Sequence, residues 1–153
     1  MEVVVADQSG EEVDRSYLEQ AARIVLLSEK VPESSELSIV LVDIAKMREL
    51  NRKLRGIDAP TDVLALPLYA GRNEIDLDQT APILLLGDVI ICPEVAEEAA
   101  AEYEVPFREE MSRLLIHGIL HLLGYDHELP EKAREMEGIE ERLLAGLGSD
   151  RVG

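Results

Sequence analysis

A chain of 153 residues, 46% apolar, is long enough for one domain with a buried core, and one Phe with no Trp makes that core aliphatic. Thirty-two acidic residues against 15 basic ones give −17, a field that by itself repels polyanions. The single Cys92 excludes an intrachain disulfide, and no apolar run approaches the ~18 residues of a membrane span. The start, MEVVVADQSGEE, lacks the basic and apolar segments of a signal peptide, so a cytoplasmic protein is expected.

In chain order, short apolar runs alternate with helical patterns. EVVVA (2–6) predicts an opening strand, and 13–30 an amphipathic helix with Leu18, Ala21, Ala22, Val25 and Leu26 roughly a turn apart. ELSIVLVD (36–43) predicts a buried strand whose last residue, Asp43, is placed to cap the next helix. That helix should run to Arg55 and stop at Gly56, with Met47, Leu50 and Leu54 as its apolar stripe. DVLALPLY (62–69) and ILLLGDVIIC (83–92) predict two further strands, joined by a polar loop around AGRNEIDLDQT. Pro93 opens a helix to about Glu104, Pro106 precedes another, and a last amphipathic helix covers about 131–146. The pattern predicts one α+β domain over residues 1–153, with a mixed sheet of about four strands and about five helices.

The basic residues are concentrated. KMRELNRKLR (46–55) holds Lys46, Arg48, Arg52, Lys53 and Arg55 against Glu49 alone. This island either binds an anion or is a solvated helix face.

All three histidines fall in HGILHLLGYDH (117–127). His117 and His121, four apart, differ by about 40° around a helix and aim at one point. His127 would point away from a continuing helix, so the chain must turn between them, and Gly124 is suited to that turn. The metal site is therefore expected on a helix and the turn after it. Three neutral imidazoles on a divalent ion leave a coordination position open, and such an ion lowers the pKa of bound water to about 7. Zinc is the default for nitrogen ligands, with nickel and cobalt as alternatives. The spacing matches the metzincin peptidase motif, except that Gly118 stands where those enzymes carry their general-base Glu. A glycine inside a helix costs about 1 kcal/mol relative to alanine, which suggests that it leaves room near the metal.

HGILHLLGYDH resembles the signature of the YbeY family of bacterial metal-dependent endoribonucleases, His-Gly-x-Leu-His-Leu-x-Gly-Tyr-Asp-His. NRKLRGIDAPTDVLALP (51–67) and LGDVIICPEVA (86–96) are similar to two further family blocks, in the same order. The resemblance implies a sheet of about four strands packed by helices and a single-strand-specific RNase. It further implies action in maturation of the 16S rRNA 3′ end and in ribosome quality control. The implied partners are an rRNA precursor, the small ribosomal subunit and ribosome-assembly proteins, with neither DNA nor membrane expected. His117, His121 and His127 become the metal ligands of one divalent ion. Arg55 aligns with the family's functional arginine, whose guanidinium can clamp a phosphate. Arg48, Arg52 and Lys53 become candidate substrate contacts.

Ala65 and Leu66 stand where the family has Ser-Phe, so a role resting on a hydroxyl there does not carry over. Asp62 reads equally as an active-site carboxylate or a turn cap. Asp126 is expected to neighbour or orient the metal site. Met136 and Cys92 read as core residues. Two other functional classes fit the same residues: a non-enzymatic assembly factor with a structural metal, and a metallohydrolase for peptides or small phosphoesters.

Overall fold

The computed structural model describes residues 1–148, in which four strands alternate with helices and three helices follow the last strand, six helices in all. β1 (Glu2–Gln8), β2 (Ser35–Val42), β3 (Val63–Pro67) and β4 (Leu84–Ile91) form one sheet of order β1-β2-β4-β3. β1 and β4 both run parallel to β2, and β3 joins the far side of β4 antiparallel, so the sheet is mixed. The helices are α1 (Arg15–Ser28), α2 (Ile44–Arg55), α3 (Arg72–Leu77), α4 (Pro93–Tyr103), α5 (Phe107–Leu122) and α6 (Pro130–Leu147).

The strand pattern assigns the two faces. Successive side chains alternate, so Leu37, Ile39 and Leu41 of β2 enter the larger core cluster while Val42 joins a smaller one with Met47, Leu64, Ile90 and Cys92. The larger cluster is closed by α1 through Leu18, Ala21, Ala22, Val25 and Leu26, and by α5 through Leu115, Ile116, Ile119 and Leu122. In β4 the buried parity changes from Leu84 and Leu86 to Val89 and Ile91, because the register with β2 slips at Glu36/Leu37. Cys92 is fully buried and its thiol is pushed up by desolvation, as suits a core residue. Met136, 1% exposed, is likewise core.

The expected caps of α2 are present. The Asp43 carboxylate accepts from the Lys46 N–H at 2.8 Å, and Gly56 closes the helix at φ 74°. Its inner face differs from expectation: Leu54 is 49% exposed, and Asn51 is buried beside Met47 instead. The Asn51 amide donates to the Ala59 carbonyl at 2.8 Å, so a polar side chain holds down the loop after the helix.

The segment expected as a polar loop contains a sixth helix, α3. Only Ile75 of it is buried, so no apolar stripe announces it. Arg72 holds it in place by donating to the Glu29 and Lys30 carbonyls at the end of α1, each at 2.7 Å, and to Asp76 at 2.9 Å.

Candidate metal centre and active-site cleft

α5 carries His117 and His121 on one face, and the chain then reverses at Gly124. Gly124 has φ +97°, and a Cβ there would stand 3.0 Å from Gly71 Cα, so both conformation and contact demand glycine. The Gly124 N–H returns to the His121 carbonyl at 3.1 Å, and the Tyr125 N–H to that of Leu120 at 3.0 Å. The Tyr125 hydroxyl donates to Glu29 at 2.7 Å, tying the turn to the end of α1. Burial, helped by that carboxylate, pushes the phenol up to about 12.

The turn brings His127 back onto the other two rings. Ring centroids lie 4.5 Å apart for His117 and His121, 5.3 Å for His121 and His127, and 5.9 Å for His117 and His127. One ligating nitrogen from each lies within 4.8 Å of the others, so the cluster could hold one metal ion. The Nε2 atoms of His117 and His121 stand 3.1 Å apart. Burial, then the neighbouring His117 and His127, hold the His121 imidazole below its ordinary value. This favours the neutral form that a metal requires. The donor set fits a divalent ion with an open position, because three nitrogens converge from one side only.

The histidines form one wall of a cleft of about 630 Å³, and β3, one of the two edge strands, forms another. Arg55 lies in the same cleft, at the exposed C-terminal end of α2. Asp62 accepts from the Val63 N–H at 2.8 Å at the start of β3, and it also lines the cleft.

The other basic candidates lie outside the cleft lining, and their side chains differ. Arg48 makes a two-pronged ion pair with Asp58 at 2.8 and 3.1 Å, and Lys53 pairs with Glu49 at 2.8 Å. Among the described residues, neither Arg52 nor Arg55 is in an ion pair.

The surroundings refine two expectations. Gly118 lines the cleft beside His117 and His121, and a Cβ there would lie 2.6 Å from Val89 Cγ1, so glycine also lets α5 approach β4. The same contact would crowd the peptidase Glu. Asp126 neighbours the site, where its charge acts on His121, but among the described residues it makes no hydrogen bond to a histidine; it accepts from the Glu128 N–H at 3.2 Å and faces Lys132 at 4.0 Å. The carboxylate that does contact a histidine is Glu140 of α6, 3.1 Å from His117 Nδ1. Sequence reasoning missed it, although an acidic residue on the apolar stripe of Met136, Leu143 and Leu147 is a visible signal.

Residues 4–148 match the family model described as Endoribonuclease YbeY. The chain is 42% identical to the Endoribonuclease YbeY of Salinispora tropica over 99% of both chains. It is 45% identical to that of Geobacillus thermodenitrificans over 88% of this chain and 86% of the other. Among solved structures, it is similar to a Thermotoga maritima protein at TM-score 0.61 and 28% identity, covering 99% of this chain and 95% of that one. A match of that length takes in the histidine helix, its turn and the cleft wall alike: the chain belongs to the endoribonuclease YbeY family.

Proposed function

We propose that this protein is a metal-dependent endoribonuclease that cuts single-stranded RNA. Its substrate is the 3′ end of the 16S rRNA precursor on the small ribosomal subunit, where it works with ribosome-assembly proteins in the cytoplasm and in ribosome quality control. Residues 1–153 act as one catalytic domain. The observation that carries this reading is the convergence of His117, His121 and His127 in a cleft that Arg55 also lines.

His117, His121 and His127 would hold the ion, with zinc the expected occupant and nickel or cobalt suited to the same nitrogens. When bound, such an ion supplies a Lewis-acidic charge and lowers the pKa of its coordinated water to about 7. The protein supplies position. The Arg55 guanidinium, free of any ion pair among the described residues, holds a phosphate by two parallel N–H donors and offsets charge growing on it. Arg52 adds to the local positive field in an otherwise acidic molecule, and Arg48 and Lys53 contribute where phosphate displaces their carboxylate partners. Gly118 speaks against a peptidase, because it supplies no general-base carboxylate and a Cβ at that position would meet Val89 of β4.

The test is metal content and cleavage of an rRNA precursor by the purified protein beside His121→Ala. One divalent ion per chain and cuts confined to single-stranded regions are expected, both lost in the variant. Protein without stoichiometric metal that leaves the precursor intact overturns the proposal.

A further inference from the structure

The metal reading leaves open what holds a flexible imidazole in its ligating orientation, and the geometry points to Glu140 as the positioning residue of the centre. We propose that Glu140 fixes the tautomer and ring angle of His117 from outside the cleft; this rests on the metal reading above. The Glu140 carboxylate lies 3.1 Å from His117 Nδ1, while His117 Nε2 faces His121 Nε2 at the same separation of 3.1 Å. A carboxylate only accepts, so the proton of the neutral ring sits on Nδ1 and the lone pair on Nε2. That is the tautomer in which the nitrogen facing the other histidines can ligate.

The two ring nitrogens point to different sides, so Glu140 stands behind His117 rather than among the groups that reach substrate. Consistent with this, His117 lines the cleft and Glu140 does not. It therefore acts through the histidine and is not the general base.

The support behind Glu140 is a packed helix. Met136, Leu143 and Leu147, on the same stripe of α6, are 1%, 6% and 5% exposed. Glu140 is half-buried between them, so its stem is held while its head meets the ring. Docking of α6 on α5 thus completes the site from the back, and residues far from the histidine motif set its affinity.

The experiment compares wild type with Glu140→Met, which keeps the packed stem and removes the acceptor, and Glu140→Gln, which restores an acceptor oxygen. Exposed Glu137→Ala is the control. Metal-free proteins are examined at alkaline pH by ¹⁵N NMR of the His117 ring, and zinc affinity is measured by chelator competition, with circular dichroism to verify folding. Wild type and Glu140→Gln should show the Nδ1–H tautomer. Glu140→Met should lose that bias and bind zinc about 10–100-fold more weakly. Glu140→Gln should recover most of the affinity, and Glu137→Ala should match wild type. Unchanged tautomer and affinity in Glu140→Met overturn the assignment. Wild type that binds no zinc instead overturns the metal reading, and the NMR result still decides whether Glu140 sets the His117 tautomer.

Discussion

Arg55 separates catalysis from folding. Its side chain is exposed at the end of α2 and makes no ion pair among the described residues, so its loss should cost little stability. Arg55→Ala should keep its metal and melting temperature yet cleave RNA about 10²–10³ more slowly, as when other preorganised donors are removed. Arg55→Lys should recover part of the rate, since an ammonium keeps the charge and loses the planar fork. Rate, metal content and melting temperature, measured together, decide it; full activity in Arg55→Ala removes the residue from the mechanism. Gly118 behaves in the opposite way. Gly118→Ala gains about 1 kcal/mol of helix propensity but drives a methyl into the fully buried Val89, and overpacking costs about 1–3 kcal/mol. Val89 is β-branched and stiff, so a net loss of stability is expected in denaturant titration. Adding Val89→Ala should relieve the clash, and simple additivity of the two substitutions would show that they do not meet.

At the scale of elements, α2 offers a ranking that composition alone does not. Its five cations are not equivalent: among the described residues Lys46, Arg48 and Lys53 are in ion pairs with carboxylates, whereas Arg52, which only adds to the field on Asp58, and Arg55 are not. Releasing a paired side chain costs part of what a phosphate contact returns. RNA affinity should fall with salt, and each phosphate contact on a single strand contributes about 0.7 to the log–log slope. Arg52→Glu should therefore flatten that slope more than Lys53→Glu, which removes a cation already held by Glu49. Slopes equal to wild type in both variants would return this face of the helix to a solvated surface.

At the scale of the whole molecule, the net charge of −17 and the basic run of α2 combine into an acidic body with one cationic approach. The cleft couples that body to pH. The His121 imidazole is held low by burial first and by its two histidine neighbours second. The unfolded chain therefore takes up this proton at a higher pH than the folded one. Stability of the metal-free protein should fall as pH drops below about 6.5, the ordinary histidine value. Bound metal steepens the same trend, because protons compete for the ligating nitrogen. Thermal melts of chelator-treated protein across that range should show a shallower slope for His121→Ala, and an identical slope would acquit His121. None of the described helices is long and apolar enough to cross a membrane.

What the sequence by itself determined is what short-range geometry determines. The three-residue gap between His117 and His121, the turn at Gly124, the caps at Asp43 and Gly56, and the four strand runs all follow from periods of 2 and about 3.6 and from local backbone preference. The tertiary structure decided the rest. Gly118 faces Val89 of β4, Glu140 of α6 meets His117, Arg72 latches α3 to α1, and Arg55 alone among the basic candidates lines the cleft. Each of these joins residues on different elements. Which side chains meet across elements depends on strand order, register and helix packing, and no local pattern encodes those.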